Sequence, residues 1–282
     1  MMRLHVVLAV VLVMAFIYVF LCIIVYFRQA RYVFVPDRVI EKTPADVGLV
    51  FEDITLLTSD GERLAAWYIP APPATPNPWT LLNCHGNGGD IGDRVPPLRT
   101  LHDLGLNVLI FDYRGYGNST GAPTEQGTYE DALTAWRYLV EMRGTSPART
   151  IAYGHSLGGA IAAWLAEQVH PAGLVLDATF TSAIDIGASM FPHLPIRYLS
   201  RFRYDTLERI QRINCPLLIA HGTRDETIPI DHSRRLFAQA RDPKCYVESD
   251  GDHNDGGLDP ASGYRDTFLP WLRELETSRS QS

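Results

Sequence analysis

Cysteine is scarce in this chain, with four residues among 282. Cys22 lies inside a long apolar run, and Cys84, Cys215 and Cys245 lie in or beside predicted strands. Their spacing gives neither a CxxC pair nor a disulfide framework. With 46% apolar residues, the chain has instead the composition of a globular protein with a sizeable core. A small disulfide-stapled scaffold and a disordered chain are therefore excluded.

Basic residues are also in deficit, because 25 Lys and Arg stand against 32 Asp and Glu. Only Arg3 and Arg28 lie within residues 1–30, so 23 basic and all 32 acidic residues follow, giving that part a net charge of −9. No stretch forms the basic stripe that phosphate contacts require. We expect no nucleic-acid partner.

Three common signatures of metal or nucleotide binding are missing from the sequence. These are the HExxH zinc motif, the P-loop and the GxGxxG dinucleotide motif. Each of them places ligand groups at a fixed spacing that the chemistry requires. We therefore expect neither a catalytic metal nor a cofactor.

A long apolar run marks the amino terminus. Residues 6–27 are 22 positions without a formal charge. As a helix this run would be about 33 Å long, enough to span the roughly 30 Å hydrocarbon core of a membrane. We predict a transmembrane anchor over residues 1–30. The alternative is a cleaved signal peptide, but the run is long and no small-x-small cleavage pattern follows it.

The orientation of the anchor is only weakly indicated. Basic residues flank both ends of the apolar run, and their balance slightly favours a cytoplasmic location for the main domain.

Residues 31–282 predict one α/β domain. Apolar runs typical of buried parallel strands alternate with helical patterns, in the βαβα order of a doubly wound sheet. Runs 50–57 and 64–69 flank an Asp-Gly turn and should form an antiparallel edge. Residues 181–212 contain no clear strand and should form a helical cap insertion. The other predicted strands are 79–84, 107–111, 150–153, 173–176, 215–220 and 244–248, and the predicted helices are 125–142, 157–170, 231–240 and 264–276.

The sequence GHSLG at residues 154–158 fits the pattern G-x-S-x-G. It follows a predicted strand and opens a predicted helix, which is the context of a sharp nucleophile turn. The serine hydroxyl would project from the top of the sheet, and the helix would direct its positive end towards the reacting centre. Ser156 is the candidate nucleophile.

A serine nucleophile needs a base and an orienting carboxylate. Asp225 follows a later buried strand and is the candidate acid, with Asp177 and Asp231 as rivals, the latter resembling a helix N-cap. His253 follows the last strand and is the candidate base. The order Ser156, Asp225, His253 matches the nucleophile, acid, base order of one particular fold.

Two backbone N–H groups are needed to stabilise the oxyanion. The segment HGNGG after strand 79–84 is placed to supply one of them, from Asn87 or alternatively Gly88, and Leu157 would supply the other. The segment DYRGYG closes the next strand and should brace this loop. A direct substrate contact by Tyr113 or Arg114 is the other interpretation of that segment.

Together the segments HGNGG, DYRGYGNSTG, GHSLGG, DATFTS, HGTRDETIP and DGDHND resemble the α/β-hydrolase superfamily. More narrowly, they are similar to its membrane-anchored serine hydrolases, a subgroup that includes acyl-protein thioesterases (depalmitoylases) and bacterial relatives. The similarity runs from about residue 51 to residue 271. It implies an α/β-hydrolase fold, with the triad at Ser156, Asp225 and His253 and the oxyanion donors at Asn87 and Leu157. It is less specific for the substrate, because one fold hosts many chemistries.

The sequence thus predicts a membrane-anchored serine hydrolase that cleaves carboxylic esters or thioesters of lipid-like or acylated substrates. A serine peptidase or amidase acting on short peptides is the alternative, and a non-catalytic scaffold is less favoured. A short linker, residues 28–51, would hold the site near the bilayer, where lipids and acylated proteins are concentrated. The insertion should line an acyl pocket, with Met190 and Phe191 as substrate-binding residues. Other apolar side chains suited to the pocket are Phe180, Leu194, Ile196, Tyr198, Leu199 and Phe202.

Overall fold

The computed structural model describes residues 2–254 and 264–280 of the chain. It begins with a continuous helix, α1 (Met2–Arg28). The stretch from Arg3 to Arg28 is long and apolar enough to cross a membrane, a property that membrane anchors and signal sequences share. None of its most apolar part is buried against the rest of the chain.

The remaining elements follow the predicted alternation. The strands are β1 (Val35–Pro36), β2 (Glu52–Leu57), β3 (Arg63–Ile69), β4 (Thr80–Cys84), β5 (Gly88–Gly89), β6 (Asn107–Phe111), β7 (Thr150–His155), β8 (Gly173–Asp177), β9 (Leu217–Gly222) and β10 (Lys244–Ser249). The helices after α1 are α2 (Ala30–Val33), α3 (Val95–Asp103), α4 (Glu125–Arg137), α5 (Leu157–Val169), α6 (Ala183–Met190), α7 (Ile196–Leu199), α8 (Thr206–Ile210), α9 (Asp231–Gln239) and α10 (Tyr264–Ser280). A π-helical turn, Tyr138–Met142, extends α4.

Within the described residues, eight strands form one sheet in the order β10-β9-β8-β7-β4-β6-β3-β2. The strands from β10 to β6 in this order run parallel, whereas β2 and β3 are antiparallel additions. The hairpin that joins β2 to β3 turns at Gly61, whose φ of +91° a side chain would oppose. The predicted mostly parallel sheet with an amino-terminal antiparallel edge is confirmed.

Both faces of the sheet are covered, because successive strand residues point to opposite sides. Leu82 and Ala152 belong to an apolar cluster that contains α4 and α5, whereas Leu81 and Ile151 belong to a second cluster that contains α3 and α10. The carboxyl ends of β4, β7, β9 and β10 meet at one edge. The loops that follow these strands are thereby brought together.

Helix α3 was not among the predicted helices. Two prolines, Pro96 and Pro97, lie in its first turn, and their presence argued against a helix in the sequence pattern. Proline is tolerated there because the first N–H groups of a helix have no intrahelical partner. Residues 181–212, by contrast, form the predicted helical insertion, with α6, α7 and α8 joined by short turns.

The linker after α1 is folded rather than a free tether. Gln29 is buried and its side chain donates to the carbonyl of Leu199 and accepts from the N–H of Arg201, each at 2.7 Å. Phe34 is 4% exposed and packs edge-on against Phe202 at 5.4 Å between ring centroids. Strand β1 pairs with β5 in parallel. The segment that leaves α1 is therefore fixed to the insertion and to the loop after β4.

We predict that Phe34→Ala lowers the free energy of unfolding by about 3–5 kcal/mol, because it removes a buried aromatic ring and leaves a cavity. Chemical denaturation of the detergent-solubilised protein measures this. Val39→Ala is the control, since Val39 is 72% exposed and its loss should stay within about 0.5 kcal/mol. Equal stability of the two variants would contradict the packing of this segment.

Candidate active site

Ser156 occupies a sharp turn between β7 and α5. Its φ of 54° and ψ of −120° are unusual for a residue with a side chain. The turn is tight enough that a Cβ on Gly154 would lie 2.1 Å from the carbonyl oxygen of Gly158. A Cβ on Gly158 would lie 1.9 Å from the carbonyl oxygen of Cys84. The two glycines of the G-x-S-x-G pattern are thus required by backbone contacts on either side of the serine.

The structure brings the three predicted triad residues together. His253 Nε2 lies 3.1 Å from Ser156 Oγ, and His253 Nδ1 lies 2.7 Å from Asp225 Oδ2. Each comes from a loop at the same edge of the sheet, after β7, β9 and β10. This geometry lets the imidazole accept the hydroxyl proton of the serine while the carboxylate holds the opposite ring nitrogen.

Hydrogen bonds fix Asp225 as a carboxylate. Its Oδ1 accepts from the N–H groups of Thr227 and Ile228, both at 2.8 Å. His221 Nε2 lies 3.2 Å from Oδ2 and also donates to the carbonyl of Ile228 at 2.8 Å. Burial opposes ionisation, but the hydrogen bonds from His221, His253 and Ile228 outweigh it and hold the pKa of Asp225 well below its usual range.

The rival acids are not placed for this role. Asp177 Oδ2 accepts from the hydroxyl of Tyr153 at 2.6 Å, and burial raises the pKa of Asp177 to about 6. Within the described residues, its carboxylate forms no hydrogen bond with a histidine. Asp231 is the first residue of α9 rather than its N-cap, which is Ile230, so that expectation was wrong.

His155 is a positioning residue that the sequence pattern did not reveal. Its Nε2 donates to the carbonyl of His253 at 2.8 Å, and the two rings lie 5.0 Å apart. Burial and the neighbouring His253 lower the pKa of His155 to about 3, so the ring stays neutral. As the variable residue of G-x-S-x-G it gave no motif signal. Only the fold shows that it fixes the loop carrying the base.

The candidate oxyanion groups border the serine. Leu157 is the first residue of α5, so its N–H has no intrahelical partner. Asn87 lines the same cavity as Ser156 and Leu157, and its carbonyl accepts from the N–H of Val35 at 3.1 Å. Gly88, the alternative donor, lies beside Ser156 in a second cavity. The structure therefore brings Asn87 and Leu157 together at the candidate nucleophile.

The segment after β6 braces the loop after β4. Tyr113 donates to the carbonyl of His85 at 2.9 Å, and Tyr116 donates to the carbonyl of Asn87 at 2.8 Å. Arg114 is 7% exposed and forms an ion pair with Asp131 at 2.8 Å. These buried contacts favour the bracing role over a substrate contact.

Two cavities border Ser156, one lined mostly by apolar side chains and the other by polar side chains and glycines. An apolar cavity of about 190 Å³ reaches Ser156 under the insertion and contains both predicted substrate-binding residues, Met190 and Phe191, as well as Phe180. The second, polar cavity has a volume of about 270 Å³ and is lined by Asp93 and Arg94 among others. Four further predicted pocket residues line a different apolar cavity, one that does not reach Ser156: Leu194, Ile196, Leu199 and Phe202. The expectation for Tyr198 was wrong, because this side chain is 89% exposed and lines none of these cavities. The four-residue helix α7 gave no period from which its buried face could be predicted.

No cluster of three or more His, Cys, Asp or Glu side chains within residues 2–254 and 264–280 is arranged to hold a metal ion. Ser156 Oγ is hydrogen-bonded to His253 and, through that ring, connected to the Asp225 carboxylate. What this arrangement can perform chemically is acyl transfer through a serine oxygen.

The chain belongs to the α/β-hydrolase fold family. The family's pattern, described as alpha/beta hydrolase fold, matches residues 80–193. The chain is 35% identical to the alpha/beta hydrolase domain-containing protein WAV2 of Arabidopsis thaliana, over 82% of each chain. It is 40% identical to an uncharacterized protein of Mycobacterium tuberculosis, over 82% of each chain. It is 33% identical to the protein bem46 of Schizosaccharomyces pombe, over 85% of this chain and 82% of that one.

Solved structures show the same fold at lower identity. The esterase Pf2001 of Pyrococcus furiosus matches with a TM-score of 0.69 and 21% identity, over 86% of this chain and 97% of that one. An acetyl xylan esterase from Paenibacillus matches with a TM-score of 0.62 and 18% identity, over 80% of this chain and 83% of that one. These matches confirm the predicted α/β-hydrolase fold.

We predict that Asp225→Asn lowers kcat by roughly 10⁴, because an amide at this position favours the wrong imidazole tautomer. Asp177→Asn is the matched control, since its amide oxygen can still accept from Tyr153, and kcat should fall by less than about tenfold. Hydrolysis of a short p-nitrophenyl ester measures both. If Asp177→Asn lowered kcat more than Asp225→Asn, the assignment of Asp225 as the triad acid would be wrong.

Proposed function

We propose that the protein is a membrane-anchored serine hydrolase that cleaves carboxylic ester or thioester bonds of lipid-like or acylated substrates. The observation that carries this proposal is the hydrogen-bonded series Ser156, His253, Asp225, with distances of 3.1 and 2.7 Å. Ser156 lines an apolar cavity that is large enough to receive part of an acyl chain. Apolar lining with a few convergent polar groups is typical of substrate pockets.

The proposed reaction begins when Ser156 Oγ attacks the acyl carbonyl carbon and passes its proton to His253 Nε2. The carbonyl π electrons move to the oxygen, which the N–H groups of Asn87 and Leu157 stabilise together with the amino-terminal end of α5. When the tetrahedral intermediate collapses, the bond to the alcohol or thiol breaks. His253 gives its proton to that leaving group, and Ser156 keeps the acyl group.

Deacylation repeats these steps with water as the nucleophile. His253 takes a proton from the water as its oxygen attacks the acyl carbon, and then returns a proton to Ser156 Oγ as the carboxylic acid leaves. Asp225 stays ionised throughout and stabilises the imidazolium in both half-reactions. The hydrogen bonds from Thr227 and Ile228 to Asp225 support this role, because they favour the carboxylate whatever the charge of His253.

The two cavities suggest how the substrate is oriented. The apolar cavity, which Met190 and Phe191 help to line, suits the acyl chain. The polar cavity, with Asp93 and Arg94, suits a hydrophilic leaving group. Helix α1 supports the membrane-anchored part of the proposal by its length and composition.

We predict that Ser156→Ala abolishes labelling by a fluorophosphonate probe and lowers kcat on the order of 10⁶, as loss of the serine does in a comparable triad. Circular dichroism should show an unchanged fold. A matched control is Ser146→Ala, because Ser146 is exposed and lines none of the cavities described for this protein. Near-normal activity in purified Ser156→Ala would end the nucleophile assignment, and preferred turnover of an aminoacyl amide over the ester would favour a peptidase.

A second test concerns the anchor. The full-length protein should stay in the membrane pellet after alkaline carbonate extraction, because a spanning apolar helix inserts far more firmly than a peripheral contact. Immunoblotting of pellet and supernatant measures this. Removal of the first residues by processing, or release of the intact chain by carbonate, would contradict the anchor.

A further inference from the structure

A second apolar cavity, the far cavity, adjoins the one at Ser156, the near cavity. The far cavity has a volume of about 140 Å³ and is lined by residues of α1, α2 and the insertion. The two cavities have five lining residues in common: Tyr32, Val33, Ala183, Gly187 and Phe191. The near and far cavities are therefore adjacent to each other.

Both cavities lack charge. Among the described residues, no Asp, Glu, Lys or Arg side chain lines either one. The polar cavity at Ser156, by contrast, is lined by Asp93 and Arg94. An extended apolar space that ends at the candidate nucleophile fits a long hydrocarbon chain attached to a carbonyl group.

The far cavity is walled by the helix that would span the membrane. Val25 of α1 lines it. Gln29, just beyond α1, lines it too and donates to the carbonyl of Leu199 in the insertion at 2.7 Å. Further back along α1, the hydroxyl of Tyr18 donates to the carbonyl of His193 at 3.0 Å. The insertion therefore lies alongside the last turns of α1, within the length of its apolar stretch.

The surface at this end of the insertion is apolar as well. Met190 is 57% exposed, Phe191 is 44% exposed and Tyr32 is 57% exposed. The rings of Tyr32 and Phe191 lie 6.4 Å apart between centroids, tilted at 59° to each other, and both residues line both cavities. Exposed apolar groups beside a spanning helix would contact the acyl region of the bilayer.

We propose that the acyl chain of a membrane-resident lipid ester enters from the bilayer between α1 and the insertion and extends through the far cavity into the near cavity. Tyr32 and Phe191 form the junction, and Val25 and Leu199 determine how long a chain is accepted. The proposal rests on the proposed function, since it assigns the carbonyl end of the chain to Ser156. It makes the anchor part of the substrate-binding wall.

The test uses the full-length protein in phosphatidylcholine nanodiscs with octanoyl and palmitoyl esters of 4-methylumbelliferone. Leu199→Trp should fill the far cavity and lower the palmitoyl-to-octanoyl ratio of kcat/KM by about tenfold or more, as the loss of space for a few methylenes does in an apolar pocket. Its control is Tyr198→Trp on the same helix, which lines neither cavity and should leave the ratio unchanged.

A second variant reaches the far cavity from α1 rather than from the insertion, in case Leu199→Trp does not fold. Val25→Trp in α1 should lower the same ratio, whereas Phe27→Trp should not, because Phe27 is 73% exposed and lines neither cavity. An unchanged ratio in both Leu199→Trp and Val25→Trp would overturn the route. This includes an equal loss of kcat/KM on the two esters, because such a loss leaves the ratio unchanged.

Failure of the proposed function gives a different result. If wild-type protein hydrolyses the octanoyl ester and Ser156→Ala does not, the serine hydrolase assignment stands whatever the chain-length ratios are. Insensitive ratios in that enzyme would overturn the bilayer route alone. A wild-type protein that hydrolyses neither ester would overturn both proposals.

Discussion

The backbone conformation of Ser156 is the constraint on which the rest of the site depends. A residue with a side chain in this region of φ and ψ costs of order 1–3 kcal/mol and persists only where its surroundings hold it. Here the N–H of Ser156 donates to the carbonyl of Asp177 at 2.9 Å, and Thr179 Oγ1 donates to the carbonyl of Ser156 at 2.7 Å. Gly154 and Gly158 allow the close contacts on either side. This turn points the hydroxyl at the loops of β9 and β10 and starts α5 directly behind it.

Around this turn, burial and the number of hydrogen-bond donors decide the pKa values of the acids and histidines. Asp225 exchanges water for four hydrogen-bond donors, and its pKa falls, whereas Asp177 is buried with the Tyr153 hydroxyl as its donor and its pKa rises to about 6. Burial likewise keeps His155 neutral. Asp225 is therefore stabilised as a carboxylate beside His253 because N–H groups of the loop after β9 donate to it. Strand-end position alone does not separate Asp225 from Asp177.

Much of this arrangement could be predicted from sequence because its signals are local. The strand, the G-x-S-x-G turn and the following helix are contiguous, and the order of the acid and base follows from chain order. Long-range pairing left no such signal: the contact of Phe34 with Phe202, the pairing of β1 with β5 and the hydrogen bond from His155 to the His253 loop depend on the completed sheet. Helix α3 was hidden by prolines, which are compatible with a first helical turn. Tyr198 was misplaced because a helix of four residues has no period to read.

Because the segment after α1 is folded against the insertion, an anchor in this protein would also position side chains at the site. A flexible tether would only raise the local concentration of enzyme at the bilayer, and its length would matter more than its side chains. Here Gln29 and Phe34 fix the segment to the insertion, so Tyr32 and Val33 sit at set positions beside the candidate nucleophile. Under the proposed function, the acyl end of a substrate would lie towards α1 and its leaving group towards Arg94 on the polar side. The two products would then leave by different faces, the fatty acid into the bilayer and the polar alcohol into water, because each cavity matches the polarity of one product.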